Sequence, residues 1–237
     1  MSQQGITLGL FLHSHQPVGN YDWVFEQNWE RAYRPMLEAL LRHPTVKLTL
    51  HYSGPLLDWL DGHRPEFRGM VGRLVERGQA EIAGGGYYEP IMAMLPAADR
   101  EGQIRLMQAE IEQRWGVRPR GAWLAERVWE PGLAAPLARA GVEYTLVDDS
   151  HFAGSGLAPG ELSGYYLTED EGKTVAIYPG LQQLRNSLPW RPVERVIALL
   201  RREAQRRPGT FLVMGDDGRS SAHGRIPTRS AGRARAA

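Results

Sequence analysis

The chain has 237 residues, enough for one barrel-sized domain or two small ones. Its hydrophobic fraction of 42% and its charged fraction of 23% are typical of a soluble globular protein. The absence of cysteine excludes disulfides and thiolate metal ligands. The first apolar run, residues 6–12, is too short for a signal peptide or a membrane span. We therefore expect a cytoplasmic protein with no membrane partner.

The formal net charge of +1 hides an uneven distribution. Residues 218–237 carry five arginines and no Asp or Glu, whereas the rest of the chain has 23 basic and 27 acidic residues, a net charge of −4. Because nucleic-acid binding needs a basic stripe, we expect no nucleic-acid partner. Residues 219–237 have no periodicity and are predicted to form a disordered basic tail.

Strand and helix patterns alternate along most of the chain. The short β-rich or apolar runs that predict strands are residues 6–12, 46–52, 80–83, 121–124, 142–147, 164–168, 174–178 and 210–214. The stretches with helical periodicity are residues 29–41, 70–77, 99–115, 133–140 and 192–206. A turn between residues 168 and 174 suggests a hairpin. Repeated strand–helix units with nearly continuous apolar strands predict an α/β fold with a covered parallel sheet.

Ionisable side chains recur where the predicted strands end. They are His13 and His15 after the first strand, Glu81 in the third, Glu126 after the fourth, Asp148, Asp149 and His151 after the fifth, and Asp216 and Asp217 after the last. Because the carboxyl ends of parallel strands open onto one face, these groups are expected to converge. Carboxylates, imidazoles and tryptophans on one rim suit sugar chemistry.

Taken singly, each cluster has an ordinary structural explanation. His13 and His15 point to the same side of a strand and could simply pack. Glu126 beside Arg127 could form a surface ion pair worth less than about 1 kcal/mol. An Asp-Asp-Gly sequence, as at residues 216–218, is more often a turn than a catalytic acid. The prediction of an active site therefore depends on their convergence.

Four motifs, in this order, resemble those of glycoside hydrolase family 57. They are residues 13–17 (HSHQP), 81–90 (EIAGGGYYEP), 123–131 (WLAERVWEP) and 215–218 (GDDG). The resemblance extends over roughly residues 5–218 and includes residues 147–152 (VDDSHF). It implies a (β/α)7 barrel, a TIM-barrel-like variant with parallel strands.

The resemblance also implies an activity. The family's enzymes are retaining glycoside hydrolases or transglycosylases acting on α-1,4-glucans, such as α-amylase and 4-α-glucanotransferase, and they need no metal or other cofactor. Glu126 matches the nucleophile and Asp217 the general acid/base. The predicted substrate-binding residues are His13, His15, Glu81, Trp123, Asp149 and His151.

Two alternatives stay open. His13 and His15 with an Asp could hold a divalent ion, as in a metal-dependent polysaccharide deacetylase- or mannosidase-like hydrolase. A third ligand is not clear from the sequence, and the tryptophans around Glu126 count against this alternative. The chain could also be a non-catalytic carbohydrate-binding remnant, which would bind oligosaccharide without turning it over.

The fourth motif departs from the family pattern after Gly218. The family continues with Glu-Lys-Phe-Gly, whereas this chain continues with Arg-Ser-Ser-Ala. Loss of one base from GAG AAG TTC GGC would give this change, so we interpret residues 219–237 as an out-of-frame tail and residues 1–218 as a partial family 57 catalytic barrel. With later elements missing, we expect an incomplete barrel with open strand edges, poorly stable and inactive.

Overall fold

A computed structural model describes residues 5–218, in which eight strands form one continuous sheet. The strands are β1 (Thr7–Ser14), β2 (Leu48–Tyr52), β3 (Ala80–Gly85), β4 (Gly121–Trp123), β5 (Tyr144–Asp148), β6 (Tyr166–Asp170), β7 (Lys173–Gly180) and β8 (Phe211–Asp217). All eight lie close to the runs predicted from the sequence. β6 and β7 form the predicted antiparallel hairpin.

Seven of the strands pair in parallel and close into a ring in the order β1, β2, β3, β4, β5, β7, β8. The predicted seven-stranded parallel barrel is therefore confirmed. The expected open edge was wrong for the described residues, because β7 inserts between β5 and β8. The β7–β8 contact is short, with Gly180 opposite Val213 and the Leu181 N–H donating to the Val213 carbonyl at 3.0 Å.

Helices surround the barrel. They are α1 (Asp22–Asn28), α2 (Arg34–Arg42), α3 (Gly54–His63), α4 (Glu66–Glu76), α5 (Ala97–Trp115), α6 (Ala134–Arg139), α7 (Asp149–Gly154), α8 (Gln182–Arg185) and α9 (Val193–Arg206). A π-helical stretch, Trp29–Tyr33, joins α1 to α2. In α5, the buried residues Ile104, Met107 and Ile111 recur at helical spacing, and the helix ends at Gly116 with φ = 66°. None of the helices between residues 5 and 218 has both the length and the apolarity needed to cross a bilayer.

The barrel interior is filled in layers. Phe11, Ala83, Trp123, Leu146 and Val213, one from each of five strands, pack together in the middle of the barrel. This layer separates a polar region at the carboxyl ends of the strands from a cavity at their amino ends. The larger apolar clusters lie outside, where the helices cover the sheet.

Candidate active site

Three strands place the central side chains of the site in register at the carboxyl end of the barrel. His13 of β1 lies opposite His51 of β2 on one side and opposite Asp217 of β8 on the other. Gly218 donates its backbone N–H to the His13 carbonyl at 2.6 Å and fixes the end of β8 beside β1. His13 and Asp217 are therefore spatial neighbours, although they come from the two ends of the described chain.

Two glutamates join the site from loops with an unusual backbone. Glu89 follows β3 with φ = 57°, Glu126 follows β4 with φ = 52°, and the adjacent Arg127 has φ = 56°. A left-handed backbone costs roughly 1–2 kcal/mol for a residue with a Cβ. Such strain concentrates at functional sites. Within residues 5–218 the only other non-glycine residue with positive φ is Glu171, in the β6–β7 turn.

Glu89 lies among three histidines. Its carboxylate oxygens are 3.4 Å from His13 Nε2, 3.7 Å from His51 Nε2 and 3.9 Å from His15 Nδ1. His13 and His51 also meet through their Nδ1 atoms at 2.9 Å. Since one of these two nitrogens must donate, the two rings adopt opposite roles at this contact. The His51 side chain is fully buried and that of Glu89 is 8% exposed.

Burial and neighbouring charges shift protonation in this cluster. Burial, followed by the charges of Glu126 and Asp217, raises the pKa of Glu89 from its ordinary 4.5 to about 8. Burial, followed by the charges of His13 and His15, lowers the pKa of His51 well below its ordinary value. Close carboxyl groups that interact in this way can divide the roles of proton donor and nucleophile between them.

The carboxyl groups of Glu126, Asp217 and Glu89 differ in their exposure to solvent. Glu126 is exposed and Asp217 is half-buried, whereas the Glu89 side chain is closed in by imidazoles. The two predicted catalytic residues are therefore the ones that a substrate could reach. Glu89 is less accessible, and the charges of both residues contribute to raising its pKa.

Trp123 packs against the ring of His13. Its ring is parallel to that of His13 with centroids 4.6 Å apart, and Phe11 meets it edge-on at 5.3 Å. The Arg127 guanidinium lies over the same ring, 5.6 Å from its centroid. With 2% of its surface exposed, Trp123 orients His13 rather than offering an open face to a sugar ring.

Ion pairs connect the loops that carry the carboxylates. Arg127 Nε donates to Asp148 Oδ1 at 2.8 Å, and Arg185 approaches Asp148 Oδ2 at 3.4 Å. Arg185 Nε is also 3.7 Å from Asp216 Oδ1, beside Asp217. These contacts tie the ends of β4, β5 and β8 together. They hold the Glu126 loop in a fixed relation to β8.

Three predicted residues are not brought into this cluster. Glu81 lies near the start of β3, opposite Thr49, so it faces the amino end of the barrel rather than the site. Asp149 accepts the backbone N–H of Gln182 at 3.1 Å, and His151 is exposed on α7. For Glu81 the physical reason is its position along the strand, because a residue at the start of a parallel strand and one at its end are separated by the strand's length. Asp149 and His151 follow the carboxyl end of β5 but belong to α7.

Sequence reasoning missed His51 and the role of Glu89. His51 lies inside the predicted strand at residues 46–52, where a polar residue at an alternating position was the available signal. Glu89 stands in the same motif as Glu81, eight positions later. The helix α3, which follows β2, was also missed.

Fold and site together define an α/β-barrel protein with its polar centre at the carboxyl ends of the strands. The sequence model of Glycosyl hydrolase family 57 matches residues 9–229, and the chain belongs to this family. It is 44% identical to an alpha-amylase of Pyrococcus furiosus and 41% identical to a 4-alpha-glucanotransferase of Thermococcus litoralis, each over 87% of this chain.

The crystal structure of the Thermococcus litoralis 4-alpha-glucanotransferase superimposes with a TM-score of 0.86 at 39% identity. The superposition covers 94% of this chain and 35% of that chain. The chain likewise spans 32% and 31% of the lengths of the two relatives named above. It therefore corresponds to about a third of these proteins.

Proposed function

We propose that this chain carries the catalytic barrel of a retaining enzyme that hydrolyses or transfers α-1,4-glucans, as an alpha-amylase or 4-alpha-glucanotransferase does. Family membership and the names of the relatives support the substrate class. The observation that carries the proposal is the convergence of Glu126, Asp217 and Glu89 at the carboxyl end of the barrel, where burial and the charges of Glu126 and Asp217 raise the pKa of Glu89. A cytoplasmic location stays a prediction.

In this proposal the two accessible carboxylates carry the reaction. Glu126 attacks the anomeric carbon while Asp217 protonates the departing glycosidic oxygen, which leaves a covalent glycosyl–enzyme. Asp217 then takes a proton from water, giving hydrolysis, or from a sugar hydroxyl, giving transfer. Neither step uses a metal ion.

The remaining residues of the site would position these two. His13 stacks on Trp123 and lies opposite Asp217 in the sheet, so it would support the end of β8. Arg127 fixes the loop after β4 through Asp148. Glu89 would hold His13, His15 and His51 in place through the contacts of its carboxylate.

The direct test is to trap the glycosyl–enzyme. The purified chain would be incubated with 5-fluoro-α-glucosyl fluoride, with and without EDTA, and then digested for mass spectrometry. We expect one fluoroglucosyl group on the peptide that contains Glu126, and none in the Glu126→Gln variant. Glu143→Gln is the matched control, because Glu143 is an exposed glutamate paired with Arg120 at the other end of the barrel.

Each other outcome points to a different conclusion. A label on Glu89 or Asp217 would overturn the assignment of the nucleophile. Labelling that disappears with EDTA would favour the metal-dependent alternative. Oligosaccharide binding without any label would favour a carbohydrate-binding remnant.

A further inference from the structure

Two aromatic rings lie open to solvent in the segment that follows β1. Tyr21 is 71% exposed and Trp23 is 64% exposed. Their ring planes are 16° from parallel, and their centroids are 6.4 Å apart. Among the ring pairs of residues 5–218, this is the one in which both members are exposed. Since burial of aromatic surface is favourable, two large neighbouring rings left in water are typical of a binding surface.

The topology places these rings on the same rim as the carboxylates. The segment begins directly after β1, and the loops that follow parallel strands lie on one face of a barrel. His15 Nδ1 is 3.9 Å from a carboxylate oxygen of Glu89, and Tyr21 follows His15 by six residues. Six residues span at most about 22 Å when fully extended. The rings therefore lie within reach of a chain-like ligand that occupies the site.

Hydrogen bonds hold the segment that carries the two rings. The buried Gln16 accepts the Asn20 amide N–H through Oε1 at 2.7 Å, and Asn20 Oδ1 accepts the backbone N–H of Tyr21 at 2.9 Å. Asp22 Oδ1 accepts the indole N–H of Trp59, on α3, at 3.0 Å. A surface that is already ordered avoids part of the entropic cost of binding. The rings are therefore presented on a pre-organised support.

The chemistry of this surface fits a sugar chain. Pyranose rings have C–H faces that pack on aromatic faces, and hydroxyl groups at their edges that need polar partners. Trp123 has no open face to offer within the site, because only 2% of its surface is exposed. Tyr21 and Trp23 do have open faces, and the exposed Asp22 between them in the sequence offers carboxylate oxygens to hydroxyl groups.

We propose that Tyr21 and Trp23 form an aromatic platform that binds an α-1,4-glucan chain away from the bond that is cleaved. The choice of glucan rests on the proposed function. The platform adds to it a binding place for sugar units beyond the reacting one, where glucose rings stack on the two aromatic faces. Long glucans are therefore bound more tightly than short ones.

Binding is measured by calorimetry with maltoheptaose, in the Glu126→Gln background so that the sugar is not consumed. Trp23→Ala and Tyr21→Ala should each raise the Kd by about 10-fold, as truncation of an aromatic anchor does at other interfaces. Trp23→Phe keeps a flat face and should retain most of the affinity, whereas Trp23→Leu keeps only apolar bulk and should not. Tyr165→Ala is the matched control, because Tyr165 is an exposed tyrosine beside Arg120 at the amino end.

The binding measurement and the trapping of Glu126 fail independently. Unchanged affinity in Trp23→Ala and Tyr21→Ala would overturn the platform even if Glu126 is trapped. Reduced affinity in both variants without trapping of Glu126 would leave the platform standing and remove the proposed function.

Two further readouts guard against other causes of a lost affinity. Because both rings are exposed, the Tm of each variant should match that of the parent chain, and a loss of affinity that always follows a fall in Tm would overturn the platform. An equal loss in Tyr165→Ala would do the same. A change of oligomeric state in gel filtration with unchanged maltoheptaose affinity would identify the two rings as a protein contact instead.

Discussion

The two ends of the barrel interior are built from the same strands but hold their charges in different ways. At the amino end, a cavity of about 490 Å³ is lined by Glu81, Tyr144, Tyr178 and Phe211 together with strand backbone. The Arg120–Glu143 pair there is exposed on both sides. Burial and the charge of Glu81 raise the pKa of the Tyr144 hydroxyl, so this phenol stays neutral.

At the carboxyl end, Asp148 pairs with Arg127, but Glu89 has imidazoles as its ion-pair partners and lies near the charges of Glu126 and Asp217. Glu89 is buried against His13 and His51, and its backbone and that of Glu126 are left-handed. A fold selected for stability alone would pair or expose such groups, as the amino end does. The contrast supports the proposal that the carboxyl end is organised for chemistry and the amino end for keeping the barrel folded.

The largest expected difference between the two ends is in catalysis. Glu126→Ala should lower the hydrolysis of α-maltosyl fluoride by on the order of 10³-fold or more, because the proposed nucleophile is lost. Added azide should restore part of the rate in this variant by taking the place of the carboxylate. Glu81→Ala, at the amino end, should keep the wild-type rate. Equal losses in both variants would contradict the contrast between the two ends.

The next effect is the pH dependence of stability caused by Glu89. Between pH 4.5, its ordinary pKa, and pH 8, the unfolded chain loses the Glu89 proton while the folded chain keeps it. Stability should therefore fall as the pH rises through this window, by at most about 1.4 kcal/mol per pH unit, and then level off. Glu89→Gln should remove this slope, measured by urea unfolding at pH 5, 6, 7 and 8.

His51 changes the stability with pH in the opposite direction to Glu89. The pH slope of the native chain should therefore be compared with that of Glu89→Gln. The lowered pKa of His51 means that the unfolded chain takes up a proton below pH 6.5 that the folded chain does not. Stability from this group is lost as the pH falls. Identical pH slopes for the native chain and Glu89→Gln would show that Glu89 is not held protonated.

A smaller effect is expected from the ion pairs. Arg127→Met should destabilise the chain by about 2 kcal/mol, because it leaves Asp148 with a weaker partner and uncovers the Trp123 ring. Arg120→Met is the matched change at the amino end, where both partners are exposed, and should have no measurable effect. Equal destabilisation of the two variants in urea would show that the carboxyl-end network has no special structural role.

The smallest expected effect is the loss of stability when a methyl group is added to a glycine at each end of the barrel. A Cβ on Gly85 would lie 2.7 Å from the Trp123 carbonyl oxygen, which is backbone and cannot move aside, so Gly85→Ala should cost about 1–2 kcal/mol. A Cβ on Gly9 would meet the tip of the Phe211 ring at 2.8 Å, and that ring borders the amino-end cavity. Gly9→Ala should therefore cost less. Thermal unfolding of the two variants compares them directly.

The sequence by itself determined the alternation of strands and helices, the parallel α/β class and the family. These follow from local properties: hydrophobic periodicity, turn residues, and motifs such as residues 123–131 that need no long-range contact to be recognised. It also predicted His13, His15, Glu126 and Asp217, which the structure brings to one end of the barrel. The predicted tail, residues 219–237, lies outside the described residues.

Only the tertiary structure decided how the ring closes and which residues meet. The hairpin pattern of residues 164–178 gave no sign that β7 pairs in parallel with both β5 and β8, since partners of a strand are set by the whole sheet. Glu81 and Glu89 belong to one motif, but the length of β3 carries them to opposite ends of the barrel. His51 becomes part of the site because its strand lies in register with β1, and strand register is a long-range property.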